Sequence, residues 1–271
     1  MSFAAEAFWK HLHAEKGEEV ESEPPWEICE RMCHERIDWI VQESGASGPP
    51  LLFFTGSKNF RNYVAVTYPY KAERNVKPFH YKNVRAYLKS AYSWKEYDGL
   101  EADDLIGIYM TQSPGTYICC TRDKDLRAIP GWHYGWEVGK QPAFGPELVD
   151  EIGRLELSSN RKKVIGTGAK FFHYQMLLGD STDTIEGLPG YGVVKAFNTI
   201  NSTSTLTEME EAVAGAYKAS YGLNWLDRMR ETGRLLQMTR DVDGSWVKLY
   251  SPSFLDRNTW IDIETGEYDE R

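Results

Sequence analysis

The chain has 271 residues, of which 41% are hydrophobic and 26% charged, with a net charge of −9 and a pI near 5.3. That length suffices for one large α/β domain, or for a core domain with a small helical appendix. No stretch approaches the ~20 apolar residues needed to cross a bilayer. The start, Met1-Ser-Phe-Ala-Ala-Glu-Ala-Phe-Trp9, lacks the basic flank and small-residue cleavage site of a signal peptide. A membrane protein is therefore excluded as the expectation, and a cytoplasmic setting is expected. The cysteines agree: Cys29 and Cys33 are four apart in a helical pattern, and Cys119 adjoins Cys120 in an apolar run. Neither pair resembles a disulfide framework or a zinc ribbon, so ordinary structural thiols are expected.

In chain order, the first 45 residues read as helix, interrupted by the Pro24-Pro25 turn. Trp26, Ile28, Cys29, Met32, Cys33, Ile37, Ile40 and Val41 mark an apolar stripe at helical spacing. Gly45 to Pro50 is a loop, and Leu51 to Thr55 a short buried strand. From Lys58 to Lys89 there are eight basic residues (Lys58, Arg61, Lys71, Arg74, Lys77, Lys82, Arg85, Lys89) and one acid, Glu73. An acidic chain argues against nucleic-acid binding, which needs Lys and Arg; this basic segment reverses that inference by implying a charge-separated surface. It is helical from about residue 80 to 90. A strand from 92 to 97, a helix from 101 to 111 and a strand from 116 to 121 follow. Alternating strands and helices predict an α/β fold with a mainly parallel central sheet flanked by helices. After about Pro146 the pattern becomes mostly helical, with helices near 169–178 and 225–238. The expected division is 1–145 and 146–271.

Three stretches carry acids at spacings that suit their setting. Glu101, Asp103 and Asp104 open a helix, whose N-terminus tolerates negative charge. Asp123 and Asp125, two apart beyond a strand, point the same way. Asp180 and Asp183 are three apart. The ends of parallel strands form the functional crevice of an open α/β sheet, which brings the first two stretches together. Oxygen ligands without His or Cys suit Mg²⁺ or Mn²⁺, and several carboxylates can hold two ions. Any one such cluster is ordinarily a helix cap or a solvated face.

The wording of the motifs adds to their spacing. Glu101-Ala-Asp-Asp-Leu-Ile-Gly107, Thr121-Arg-Asp-Lys-Asp-Leu126 and Gly179-Asp-Ser-Thr-Asp-Thr-Ile-Glu-Gly-Leu-Pro-Gly-Tyr-Gly192 resemble the 5′-nuclease family. That family includes the 5′-exonuclease domain of bacterial DNA polymerase I, flap endonucleases and stand-alone bacteriophage 5′→3′ exonucleases. Phe54-Thr-Gly-Ser-Lys-Asn-Phe-Arg61 and Tyr70-Lys-Ala-Glu-Arg74 are similar to the phage branch. The resemblance covers residues 50 to 200 and implies a PIN-like core with a helical arch and a C-terminal helix–three-turn–helix.

By motif, it implies Glu101, Asp103 and Asp104 at a first metal position, Asp123 and Asp125 between two positions, and Asp180 with Asp183 at the second. It implies Lys71 and Arg74 as catalytic residues at the scissile phosphate. Arg61, Lys77, Lys82 and Arg85 would hold DNA, with rings such as Tyr63, Tyr68, Tyr70, Phe79, Tyr81 and Tyr87 stacking on bases. Gly187, Gly190, Gly192 and Lys195 resemble the helix–three-turn–helix, which would bind phosphate through backbone N–H groups and, in relatives, holds K⁺. The implied activity is a metal-dependent 5′→3′ exonuclease or flap endonuclease on DNA with 5′ ends or flaps, RNA–DNA hybrids being a further substrate. A monomer in the cytoplasm, the host's if phage-encoded, is expected.

Two departures fall on the first metal position. The family's opening strand with an Asp-Gly-Asp-like sequence has no match before Leu51, and Ser2 onward resembles the helix that follows it. Gly56 stands where many relatives have aspartate. The expectation is that upstream residues belong to the functional protein, and that the Leu51–Thr55 strand and a neighbour are separated by a gap or shifted together to close it. An impaired, structure-specific DNA-binding protein and a PIN-like ribonuclease remain open as alternatives.

Overall fold

The computed structural model describes residues 23–71, 77–139, 141–255 and 257–271. Its helices are α1 (Trp26–Ser44), α2 (Arg61–Val64), α3 (Tyr81–Ala91), α4 (Ala102–Gln112), α5 (Gly168–Leu178), α6 (Val193–Asn201), α7 (Leu206–Tyr221) and α8 (Trp225–Leu236). The strands are β1 (Leu51–Thr55), β2 (Ser93–Tyr97), β3 (Ile118–Cys120), β4 (Gly131–Gly135), β5 (Phe144–Val149), β6 (Leu155–Leu157), β7 (Val164–Gly166), β8 (Gly179–Asp180), β9 (Ile185–Glu186), β10 (Val242–Asp243), β11 (Trp246–Lys248), β12 (Thr259–Asp262) and β13 (Tyr268–Glu270). The chain forms two compact units, Met1–Leu52 with Glu73–Lys95, and Phe53–Ala72 with Glu96–Arg271. Residues 145 and 146, where a division was expected, lie inside β5.

In the first unit, α1 starts after Pro25 and stops at Gly45, whose φ of 71° closes the helix in the left-handed region. Cys29 and Cys33 lie one turn apart on one face. Both are fully buried against Val84, Tyr87 and Leu88 of α3. Burial pushes the Cys33 thiol up to about 12, and all four cysteines are free, as a structural role requires. His80 Nε2 bonds the Pro24 carbonyl at 2.7 Å, tying the entry of α3 to that of α1.

The second unit is mixed α/β. β3 pairs in parallel with β4, as alternating strands and helices predict, but β4 pairs antiparallel with β5. β1 pairs with β2 in a separate ladder. Among the described residues no ladder joins these two sheets, so the expected single, mainly parallel sheet is not seen as one ladder. The core gathers Leu105 and Ile108 of α4, Phe171, Met176 and Leu177 of α5, Met209 and Val213 of α7, and Met229 of α8.

The region after residue 146 is less helical than its composition suggests. Beyond α8, β10 to β13 form a four-stranded antiparallel sheet. Its strands are only two to four residues long, below the length at which alternation is legible. Asp243-Gly244 and Thr265-Gly266, with glycine φ of 62° and 79°, mark its turns. Between α5 and α6 the chain makes the β8–β9 hairpin and then the Gly-rich turn. No helix among the described residues is long and apolar enough to cross a membrane.

Candidate active site

The three acidic stretches converge within the second unit. The N-terminus of α4 supplies Glu101 and Asp103, the loop after β3 supplies Asp123 and Asp125, and the β8–β9 hairpin supplies Asp180 and Asp183. These six line one cavity of about 120 Å³ together with Tyr70, Lys71, Lys124 and Thr182. Local hydrogen bonds fix each stretch. Asp123 accepts from the Asp125 N–H at 2.9 Å, and Asp180 accepts from the Thr182 N–H at 2.8 Å. Such Asx turns hold the carboxylate against its own backbone.

Two lysines sit among the acids. Lys71 Nζ lies 2.8 Å from Glu101 and 3.6 Å from Asp183. Its N–H donates to the Asp183 carbonyl at 3.1 Å, and its φ of 49° is left-handed, a conformation that costs energy outside glycine and clusters at functional sites. Tyr70 donates toward Glu101 at 2.9 Å and Asp183 at 3.1 Å. Lys124 Nζ bridges Asp180 at 2.5 Å and Asp125 at 3.2 Å.

The carboxyls divide by how well they are compensated. Burial would raise Glu101, but Arg61 and Lys71 outweigh it and hold Glu101 below the usual range. Burial likewise opposes Asp180, and Lys124 overcomes it. Asp103, Asp125 and Asp183 go the other way. Burial, reinforced by Asp123, Asp104 and Glu101, pushes Asp103 up to about 7. Burial raises Asp125 and Asp183 too, against the pull of Lys124 and Lys71. The cavity thus carries more negative charge than its own cations balance.

Two residues expected at the working surface are buried in this structure. Arg61, expected on DNA, and Asp104, expected on metal, are both fully buried and form a two-point ion pair. Asp104 also accepts the Glu101 and Thr239 N–H groups, so both its oxygens are taken and it does not line the cavity. A buried carboxylate needs such partners, and a guanidinium matches it geometrically. Of the catalytic pair, Lys71 is in the cavity and Arg74 lies outside the described residues. Lys77, Lys82 and Arg85 belong to the first unit.

Gly187, Gly190 and Gly192 lie on the turn into α6 and Lys195 in its first turn, and none of them lines the cavity. A Cβ at Gly187 would sit 2.1 Å from the Leu178 carbonyl oxygen, whereas Gly190 and Gly192 have open space around them. Lys195 Nζ covers the Tyr191 ring at 3.9 Å. At Gly56 a Cβ would meet the Tyr97 carbonyl oxygen at 2.2 Å, so an aspartate has no room there. Lys124 is a cavity residue that the sequence reading does not name, and Tyr70, expected to stack on bases, bonds Glu101 and Asp183 instead. Lys124 had a legible signal, standing between Asp123 and Asp125.

The donor set is all carboxylate, which suits hard cations such as Mg²⁺ or Mn²⁺, and the uncompensated Asp103, Asp125 and Asp183 fit a cation there. Among the described residues no three of these acids are close enough to hold one ion as they stand. Lys71 and Lys124 occupy the space between them.

No family model matches the chain. A curated 5′-3′ exonuclease of Streptomyces coelicolor is 28% identical over 144 residues, 53% of this chain and 46% of that protein. The match thus spans about half the length of that relative. Among solved structures, a T5 protein co-crystallised with metal ions overlaps with a TM-score of 0.46 at 12% identity, covering 74% of this chain and 82% of the other. T5 5′-exonuclease with bound zinc overlaps at 0.40 and 13%, covering 76% and 87%. Overlaps of that extent fix no residue correspondence. The motifs of the sequence and the named Streptomyces relative point to one family, the 5′-nucleases.

Proposed function

We propose that the chain is a divalent-metal-dependent 5′→3′ exonuclease or flap endonuclease that hydrolyses DNA phosphodiester bonds near 5′ ends. The observation that carries this reading is the single cavity in which six carboxylates face two ammonium groups. With all six ionised, the charge left over equals that of two divalent cations. Asp103 with Asp123, and Asp125 with Asp180 and Asp183, would hold them. When bound, such ions lower the pKa of water and neutralise charge on the reacting phosphate.

The chain's own residues do the rest. Lys71, held by Glu101 and by the Asp183 backbone, presents its ammonium at the cavity and would stabilise charge developing on the phosphate. Tyr70 fixes the orientation of Glu101 and Asp183. Gln175 donates to Asp125 at 2.5 Å and holds that carboxylate from behind. The Gly-rich turn into α6, with Lys195, would contact phosphates of the duplex, and K⁺ held there would add to that contact.

The test uses one duplex labelled at its 5′ end and, separately, at its 3′ end, with Mg²⁺, Mn²⁺ or EDTA. Early release of label from the 5′-labelled strand, abolished by EDTA, is the expected result. A chain that binds the duplex but releases nothing with either metal is the impaired binder instead.

A further inference from the structure

A second cleft of the same unit lies between α8 and the residue 63–67 segment. It measures about 590 Å³ and is lined by Tyr63, Thr67, Arg228, Arg230, Arg234 and Tyr268, among others. Arg230 and Arg234 are four apart on α8, a spacing at which like charges destabilise a helix. The acids nearby do not relieve them. Glu231 is taken by the Val66 and Thr67 N–H groups, the Thr67 hydroxyl and Arg228. Asp227 and Glu270 act on Arg234 without an ion pair among the described residues. Arg234 donates to the Thr259 hydroxyl at 2.9 Å and toward the Tyr250 carbonyl, both neutral acceptors. Arg230 Nε is buried with no partner. Buried donors are nearly always satisfied, so the Arg230 Nε, beside a second guanidinium that has only neutral acceptors, suits an anion.

The walls say which kind. Tyr63 and Tyr268 are 43% and 47% exposed, and Val66 is 85% exposed. Rings beside arginines suit a nucleic-acid strand, phosphate on the cation and base on the ring. The wall of residues 63–67 also runs on within a few residues to Tyr70 and Lys71 of the carboxylate cavity. Resting on the reading above, we propose that this cleft holds the sugar–phosphate backbone of the DNA strand beside the cleavage site. Arg230 and Arg234 contact phosphate, and Tyr63 and Tyr268 flank the bases.

The test is Arg230→Gln, with Arg230→Lys as the charge-keeping control. Binding of a fluorescent 5′-overhang duplex is followed by anisotropy in EDTA from about 50 to 200 mM KCl, the range over which phosphate contacts show their salt dependence. Arg230→Gln should weaken binding and make the log–log salt slope shallower by about one, while Arg230→Lys keeps the slope. Melting should be unchanged or raised in Arg230→Gln, because its repulsion with Arg234 is gone. Wild-type binding with an unchanged slope in Arg230→Gln overturns this proposal alone. If deoxyadenosine monophosphate binds by calorimetry, loses that binding in Arg230→Gln, and leaves the duplex slope untouched, the cleft takes free nucleotides and the proposal fails. No duplex binding by the wild type at any salt overturns both this proposal and the nuclease reading.

Discussion

Arg61 and Asp104 make a two-point ion pair, Nη1 to Oδ2 at 2.7 Å and Nη2 to Oδ1 at 2.8 Å, with no exposure on either side chain. The remaining donors of Arg61 reach Glu101 and the carbonyls of Leu235 and Gln237. One guanidinium therefore links α2, the start of α4 and the end of α8, and sets Glu101 at the cavity edge.

Removing one member leaves the other charged and buried. Arg61→Ala should cost about 3–5 kcal/mol of stability, read by urea unfolding. Lys82→Ala, at an exposed position of α3, should leave the midpoint unchanged and weaken DNA binding. A midpoint for Arg61→Ala equal to the parent's would show that the pair is not structural.

Both residues show where sequence reasoning stopped. Arg61 stands in a basic run, and nothing in its neighbours marks one member as buried. Its partner is 43 residues away and its carbonyl acceptors 174 and 176 away. The acids that line the cavity were legible because each stretch carries its own local geometry, a helix start, a strand end or an Asx turn. The helices at 168–178 and 225–236 were legible from a period sustained over enough residues, and the strand at 51–55 as a short apolar run after a Gly/Pro loop. The C-terminal sheet was not, because strands of two to four residues carry no period.

Gly56 is held by its own backbone, its N–H donating to the Leu100 carbonyl at 3.1 Å. Gly56→Asp should therefore lower stability by about 1–3 kcal/mol, as overpacking does, without tightening Mn²⁺ binding. Thermal melting and calorimetric metal titration check both parts. Tighter Mn²⁺ binding at unchanged stability would mean that the segment has room for the carboxylate.

His133 and His173 are buried, and burial lowers both imidazoles below their ordinary value, the bonds to the Ile129 and Ala169 carbonyls opposing it. Their folded pKa values lie below the unfolded value of about 6.5. Below that pH the unfolded chain binds the extra protons, so stability is full above it and is lost as pH falls through the folded values. The histidine contribution to the urea midpoint should hold from pH 8 to 7 and decline below pH 6, while the raised Asp103 works in the opposite direction over that range. His133→Asn and His173→Asn should each flatten the decline; an unchanged slope in both would place the acid sensitivity elsewhere.

Lys71 is expected to act in chemistry more than in affinity. Lys71→Ala should cut the single-turnover cleavage rate by at least ~100-fold, the scale of one oriented electrostatic group, with the duplex Kd little changed. A rate near the parent's alongside a raised Kd would make Lys71 a binding residue only.

The central claim is that the carboxylate cavity is where the phosphodiester bond is cut. Asp180→Ala tests it most directly, because Asp180 joins the cavity through Lys124 and takes no part in the Arg61 network. The measurement is single-turnover release from a 5′-labelled duplex with Mn²⁺, beside the anisotropy Kd of the same duplex. The expected result is cleavage by the parent, none by Asp180→Ala, and a Kd that is unchanged or lower, since a repulsive charge is gone. Equal cleavage rates for the two proteins would contradict the assignment.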